Sequence, residues 1–214
     1  MLVLYLHGFR SSPSSFKARA TAEAVARLRE SLRGSGSALP EFACPPLPAS
    51  PRAALDAAER VVRERAAGDW TRVALVGSSL GGFYATVLAQ RDGRRCRAAV
   101  VNPGTAPWDA LAAHVDAHRT AYHSEEVPFA FTAQDHAELV GLRDEFGAGP
   151  PSHPERFCVL VSERDELIDC RRTLAWYGDR ARARVVRGSD HAMYDYGDHV
   201  DGVVRFLLQQ EEPT

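Results

Sequence analysis

Short apolar runs of strand length alternate with segments of helical periodicity along most of this chain. The runs fall at residues 2–6, 41–44, 72–76, 97–101, 157–161 and 183–187. In the segments between most of them, apolar residues recur every three to four positions, which places them on one face of a helix. Strands joined through helices pair in parallel. We therefore predict an α/β fold with a mainly parallel six-stranded sheet and helices on both faces.

The composition is that of an ordinary globular domain. A chain of 214 residues, 45% hydrophobic and 25% charged, fits one domain over 1–214 whose core needs neither metal nor disulfide. The net charge of −2 argues against nucleic acid as a partner. The cysteines Cys44, Cys96, Cys158 and Cys170 form no CxxC pair, so we interpret them as incidental thiols. With no leader-like start and no apolar run of membrane-spanning length, we expect a cytoplasmic protein.

Lys17 is the only lysine in the chain. It follows Phe16 rather than a glycine, which excludes a phosphate-binding P-loop. A Schiff-base mechanism would have to use this residue. The apolar recurrence from Phe16 to Leu32 predicts that Lys17 lies on a surface helix.

Ser79 is the predicted nucleophile. It lies in Gly77-Ser-Ser79-Leu-Gly81, directly after an apolar strand and directly before a helix. A serine hydroxyl can project from such a sharp, strained turn, and glycines two residues away leave room for it. The helix N-terminus also favours developing negative charge. The alternative is a glycine-rich turn with a surface serine. The neighbouring Ser78 is the competing serine, but it does not have glycines two residues away on both sides.

The first predicted strand ends at His7-Gly8-Phe9. A nucleophile elbow is served by two backbone N–H groups, one after the nucleophile and one from the loop after an earlier strand. We therefore predict an oxyanion hole formed by the N–H groups of Leu80 and Phe9. His7 comes too early in the chain for a general base, and we expect it to fix the loop by hydrogen bonding.

The acid is expected after the serine and before the base. Four carboxylates follow the fifth strand at Glu163, Asp165, Glu166 and Asp169. Asp165 is favoured because its place in the loop lets it turn back toward the nucleophile. Asp169 is typical of a helix N-cap, and Glu163 and Glu166 are expected to point elsewhere.

His191 is the predicted general base. It follows the last strand in Gly188-Ser-Asp-His191, where an imidazole oriented by the acid can take the serine proton. His199 competes for this role, but it falls inside the predicted last helix. The remaining histidines precede or miss this loop.

The alternation of strands and helices stops between residues 105 and 150. This segment holds two or three weak helical pieces and no convincing strand. His114 and His118 stand four apart there, which superficially resembles a helical zinc pair. The intervening residues lack the glutamate of the metalloprotease motif. We interpret the pair as surface histidines and expect neither a metal nor another cofactor.

With these motifs in place, the chain resembles the α/β-hydrolase superfamily and, within it, the small bacterial esterases of the YqiA type. The resembling stretches are Leu4-Tyr-Leu-His-Gly-Phe-Arg-Ser-Ser-Pro13, Leu75-Val-Gly-Ser-Ser-Leu-Gly-Gly-Phe-Tyr84, Asn102-Pro103, Glu163-Arg-Asp-Glu166 with Asp169, and Ser189-Asp-His191. The resemblance implies a three-layer α/β-hydrolase fold with strand order 2-1-3-4-5-6 and a catalytic triad of Ser79, Asp165 and His191. It also implies a small cap or lid at about 105–150 over the site.

The activity implied by this resemblance is that of a serine esterase, which hydrolyses small acyl esters through an acyl-enzyme. An acyl-CoA thioesterase is the alternative, and it would need arginines such as Arg10 and Arg164 near the entrance. A non-catalytic binding protein of the same fold would have lost a triad member, and the sequence keeps all three. No sequence feature specifies an oligomeric state.

Overall fold

A computed structural model describes residues 1–91, 94–116, 119–121, 124–146 and 149–208. Its strands are β1 (Leu2–Leu6), β2 (Glu41–Ala43), β3 (Val73–Ser78), β4 (Arg97–Val101), β5 (Arg119–Ala121), β6 (Ser124–Phe129), β7 (Phe157–Ser162) and β8 (Arg182–Val186). Its α-helices are α1 (Phe16–Ser31), α2 (Pro51–Ala66), α3 (Leu80–Gln90), α4 (Pro107–Leu111), α5 (Ala133–Phe146), α6 (Cys170–Tyr177) and α7 (Val200–Leu207).

Six strands form one sheet in the order β2-β1-β3-β4-β7-β8, and every neighbouring pair is parallel. Counted along the chain within this sheet, the order is 2-1-3-4-5-6, which confirms the expected topology. Every residue of β1, β3 and β7 is buried. Such continuous burial is typical of a parallel sheet covered on both faces, and it explains why these strands read as unbroken apolar runs.

Alternating side chains of the central strands pack into two separate cores. Leu4 packs in the core that contains α2, α3 and α5, where Leu88 is fully buried. Tyr5 packs in the opposite core with Val25 of α1 and Val204 of α7. Because successive strand residues point to opposite faces, β1 contributes to both cores. The molecule therefore has the predicted three layers, with the sheet in the middle.

The carboxyl ends of the parallel strands lie along one edge of the sheet. The pairing of Leu6 with Gly77, and of Gly77 with Val100, brings the ends of β1, β3 and β4 together. Ligand sites of open α/β sheets form at this edge. The loops that carry the predicted site residues all begin there.

Two expectations about secondary structure were wrong. The segment 105–150 contains strands, because β5 and β6 pair as an antiparallel ladder outside the main sheet. With three residues in β5, and with Pro128 in β6, neither strand has the periodicity that reveals longer ones. His199 does not lie inside the last helix but at its N-cap, directly before Val200.

None of the helices in the described ranges combines the length and the apolar character that crossing a membrane requires.

Candidate active site

Ser79 occupies a strained turn between β3 and α3. Its backbone has φ 54° and ψ −119°, a region that residues with a side chain rarely adopt. Backbone hydrogen bonds hold this turn. The Ser79 N–H donates to the carbonyl of Val101, at the end of β4, at 3.0 Å. The Ser79 carbonyl accepts from the N–H groups of Gly82 and Gly104. The surrounding structure therefore maintains a conformation that the serine alone would avoid.

The glycines at 77 and 81 are required by close packing around this turn. A Cβ atom on Gly77 would overlap the carbonyl of Gly81, and one on Gly81 would overlap the carbonyl of Leu6. These neighbours are backbone atoms, which cannot rotate away as a side chain can. The spacing Gly-x-Ser-x-Gly is thus explained by close packing within the turn at Gly77 and against the end of β1 at Gly81.

The structure brings Ser79, Asp165 and His191 together from three separate loops. His191 Nε2 lies 3.2 Å from Ser79 Oγ, and His191 Nδ1 lies 2.8 Å from Asp165 Oδ2. An ionised carboxylate can only accept hydrogen bonds, so Nδ1 carries the proton and Nε2 is left to accept from the serine hydroxyl. This geometry suits transfer of the serine proton to the imidazole.

Asp165 lies in an environment that favours its charged form. Burial acts to raise its pKa, but the hydrogen bond and the charge of His191 oppose this, together with two backbone N–H groups. The net result is a pKa below the ordinary value. Asp165 Oδ1 accepts from Leu167 N–H at 2.9 Å and from Ile168 N–H at 2.8 Å. One carboxylate oxygen thus secures the loop while the other contacts the imidazole.

The other three carboxylates of this loop have different partners. Asp169 accepts from two backbone N–H groups of the first turn of α6, which confirms it as an N-cap. Glu163 accepts from Gly188 N–H at 3.1 Å. Glu166 was expected to point away from the site, and this was wrong: its carboxylate accepts from the backbone N–H of His191 at 3.1 Å. Glu166 therefore helps to hold the loop that carries the imidazole.

The predicted oxyanion donors face the same cavity as the serine. Ser79, Leu80 and Phe9 all line a cavity of about 260 Å³. Leu80 is the first residue of α3, and Phe9 follows the end of β1. Within the described ranges, neither N–H donates a backbone hydrogen bond. Both residues thus lie where a backbone N–H could donate to a group bound in the cavity.

Aromatic residues from the 105–150 segment hold the loop that contains Phe9. The Phe9 ring contacts Phe129 at a centroid distance of 5.0 Å and Phe131 at 5.3 Å, both edge to face. The imidazole of His114 lies 5.4 Å from it. Edge-to-face packing of this kind adds to the stability that burial provides. The segment that interrupts the fold therefore supports one wall of the cavity.

His7 braces the same loop from the other side. Its Nε2 accepts from Leu47 N–H at 3.1 Å, which leaves Nδ1 to donate to the carbonyl of Gly8 at 3.1 Å. His7 is 4% exposed, so these bonds are shielded from water. Its contacts agree with the expectation that it fixes the loop.

The pair that superficially resembles a zinc site, and that we interpreted as surface histidines, is His114 with His118. His114 packs on Phe9, and His118 lies outside the described residues. In the part of the chain that the structure describes, no three His, Cys, Asp or Glu side chains are grouped as metal ligands would be.

Two residues hold the loop of His191 in a way that the sequence did not indicate. Asn102, 1% exposed, accepts from Ser162 N–H at 2.7 Å and donates to the carbonyl of His191 at 3.1 Å. Lys17 lies in α1, whose outer face is exposed as expected of a surface helix. Lys17 itself is half-buried, and its ammonium donates to the carbonyl of Ala192 at 2.7 Å. The apolar period of α1 does not reveal this, because the partner lies far away in the chain.

Arginines are unevenly placed around the sheet. Arg172 lines the cavity that contains Ser79. Four others, Arg91, Arg94, Arg95 and Arg156, line a separate cavity of about 370 Å³ beside the C-terminal end of α3. That end lies about 16 Å from the serine, at a rise of roughly 1.5 Å per residue along the helix.

Comparison with known proteins identifies the family and the fold. The family model described as "Uncharacterised protein family (UPF0227)" matches residues 2–208. Mouse alpha/beta hydrolase domain-containing protein 10 is similar in structure, with a TM-score of 0.66 at 15% identity, over 97% of this chain and 89% of that one. Est1E from Butyrivibrio proteoclasticus, with ferulic acid bound, has a TM-score of 0.63 at 11% identity, over 98% and 90%. The esterase domain of a Rhodothermus marinus protein has a TM-score of 0.63 at 16% identity, over 95% of this chain and 84% of that one.

Proposed function

This chain belongs to the uncharacterised protein family UPF0227, the YqiA-type group with the α/β-hydrolase fold, and from that premise we propose that it is a serine esterase. The proposed reaction is hydrolysis of small carboxylic esters through an acyl-enzyme. The observation that carries the proposal is the position of His191, whose two ring nitrogens lie within hydrogen-bond distance of Ser79 and Asp165.

The acylation step uses all the groups of this arrangement. Ser79 Oγ attacks the ester carbonyl carbon while His191 Nε2 takes the hydroxyl proton. The negative charge that develops on the carbonyl oxygen is stabilised by the N–H groups of Leu80 and Phe9. The protonated imidazole, stabilised by Asp165, then gives its proton to the leaving alkoxide. The C–O bond breaks, and the acyl group remains on Ser79.

Deacylation repeats these roles with water as the nucleophile. His191 takes a proton from the water, which attacks the acyl carbon. The proton then passes to Ser79 Oγ as the acid leaves. The proposed steps use only these protein groups and water. The backbone hydrogen bonds of Ser79 hold the turn that carries this hydroxyl.

We propose the 105–150 segment as the cap of a single domain. Residues 104–107 and 109–111 line the cavity beside Ser79, as do Leu167 and Ile168 of the acid loop. A cavity of about 260 Å³ lies below the usual range of about 300–1,000 Å³ for drug-sized ligands, which favours a short acyl or alcohol group. The cytoplasmic location stays a prediction from the sequence.

Thioester hydrolysis on coenzyme A has less support. A phosphate-rich leaving group calls for several arginines near the nucleophile. Among the described residues, a single arginine, Arg172, lines this cavity. The cluster of arginines lies beyond the other end of α3. A non-catalytic binding role has less support because it would not require a histidine hydrogen-bonded to both a serine and a buried carboxylate.

Labelling with a fluorophosphonate probe tests the proposal directly, since the probe reacts with an activated serine. We expect the wild-type protein and the Ser78→Ala control to be labelled, and Ser79→Ala to remain unlabelled. Hydrolysis of short-chain nitrophenyl esters should follow the same pattern. If Ser79→Ala keeps more than about a tenth of the wild-type rate, the serine mechanism is wrong. A faster rate on acyl-CoA than on any ester would favour the thioesterase.

A further inference from the structure

The loop that carries His191 depends on hydrogen bonds from other parts of the molecule. Three successive carbonyl groups, those of residues 190–192, accept from side chains outside the loop. Asn102 Nδ2 donates to the first two, at 3.3 Å and 3.1 Å. Lys17 Nζ donates to the second at 3.3 Å and to the third at 2.7 Å. Met193, the next residue, has φ 48°, so the loop ends in a conformation that its own residues do not favour.

Lys17 is well placed to hold this loop because α1 itself is anchored there. Thr21 Oγ1, one turn along α1, donates to the Lys17 carbonyl at 2.8 Å. The same hydroxyl lies 3.0 Å from the hydroxyl of Tyr196, in the turn that follows the His191 loop. The start of α1 therefore has a fixed position relative to that loop.

The choice of lysine at this position is informative. Apart from Lys17, the positively charged side chains that do not depend on histidine are all arginines. In this chain a cationic position is therefore ordinarily filled by arginine. An ammonium is compact and donates three hydrogen bonds from a flexible stem, which lets it reach two adjacent carbonyls. A guanidinium is a planar fork that suits carboxylates better. The contacts at Ala192 and His191 therefore match the chemistry of lysine.

The surroundings of Lys17 bring its titration toward neutral pH. Burial lowers the pKa of Lys17 from 10.5 to about 8, and the carboxylates of Asp165 and Asp190 act in the opposite direction. Tyr196, from the turn packed against α1, stays protonated because burial raises its pKa. The ammonium thus faces two carboxylates and two backbone carbonyls.

We propose that Lys17 is a positioning residue for the esterase reaction: its ammonium holds the backbone of His191 so that the imidazole stays between Asp165 and Ser79. The inference rests on the proposed function, because it concerns turnover through His191. In this role Lys17 touches neither substrate nor reacting atoms, and it acts by holding the loop.

Loss of the Lys17 charge should release the loop. A neutral amine donates weaker hydrogen bonds than an ammonium, so the carbonyls of His191 and Ala192 would lose their strongest donor. A displacement of about 1 Å in a catalytic group can lower the rate about 100-fold. Wild-type activity should therefore fall on the alkaline side of about pH 8 as Lys17 loses its proton.

The first test compares Lys17→Met with Arg27→Met. Arg27 is a matched control because it also lies on α1, where its guanidinium forms an exposed ion pair with Asp201. At pH 7 we expect Lys17→Met to lower kcat by about 10- to 100-fold. KM should change by less than about twofold, because the cavity is untouched. Fluorophosphonate labelling should slow by the same factor as kcat, while Arg27→Met stays at the wild-type rate.

The pH profile separates positioning from a purely structural role. Wild-type kcat should decline above about pH 8, and Lys17→Met should be low but flat from about pH 7 to 9.5. The side chain of Lys17→Arg stays charged, so the decline of kcat in this variant should move to higher pH. If Lys17→Met fails to fold, the inference is tested with Lys17→Arg. A Lys17→Met protein with wild-type kcat would overturn the inference. A loss of kcat in Lys17→Met that is no larger than the fraction of unfolded protein would also overturn it. The same holds if kcat of Lys17→Arg declines at the same alkaline pH as that of the wild type. Turnover by Ser79→Ala would instead refute the proposed function.

Discussion

The side-chain amide of Asn102 donates a hydrogen bond to the backbone carbonyl of His191 at 3.1 Å. The same side chain accepts from the N–H of Ser162, at the end of the strand that leads to Asp165. One buried amide therefore joins the loop of the base to the strand of the acid. The relative position of these two loops decides whether the carboxylate reaches the imidazole.

Replacing Asn102 should lower both stability and turnover. Asn102→Ala leaves the buried N–H of Ser162 without its partner, which costs roughly 1–3 kcal/mol for one unsatisfied group. We expect the free energy of unfolding in urea to fall by about 2 kcal/mol or more, together with a lower kcat. Ser162→Ala is the control, since it removes only one acceptor of the amide, at 2.9 Å. Equal losses in the two variants would contradict the bridging role.

Asp165 and Asp169 should differ sharply when each is changed to asparagine. Asp165→Asn removes the carboxylate that orients His191, and loss of a triad acid lowers turnover by about 10⁴-fold in studied cases. Asp169→Asn keeps a residue that caps helices well, so it should lower the melting temperature slightly and leave most activity. Measuring rate and melting temperature for both variants checks this. An inactive Asp169→Asn with an active Asp165→Asn would reassign the acid.

Gly81→Ala should disrupt the elbow itself. The added methyl group would overlap the carbonyl of Leu6 in the neighbouring strand, and backbone atoms of a packed sheet have little room to move. We expect a loss of about 3 kcal/mol or more in the free energy of unfolding. Gly202→Ala on α7 is the control, because no atom lies within 4 Å of the position that its Cβ would take. That variant should be as stable as the wild type or more stable, given the higher helix propensity of alanine.

Acid should weaken the fold in part through Asp165. Its pKa is lowered in the folded state, so its ionisation stabilises the fold above the unfolded pKa of about 3.9. This stabilisation is lost as the pH falls through the folded pKa. The difference in free energy of unfolding between the wild type and Asp165→Asn should therefore shrink as the pH falls from about 5 to about 2. A difference that stays constant over this range would contradict the assignment.

Much of the fold and the elbow could be predicted because their signals are local. The apolar runs mark buried strands, and the glycines around Ser79 mark a turn that only glycine neighbours allow. Asp169 could be recognised as an N-cap because the N–H groups that it binds follow it within three residues. Each of these features depends on residues close together in the chain.

The tertiary structure alone decided which distant groups meet. Glu166 and Asp165 are neighbours with the same chemistry, yet one accepts from the backbone N–H of His191 and the other from its ring. The period of α1 predicts a surface helix at Lys17, but it cannot show that the ammonium contacts the loop of His191 more than 170 positions away. Sequence periodicity reports which face of an element is apolar. The contacts between loops depend instead on how the strands and helices that carry them pack, and this packing involves the whole chain at once.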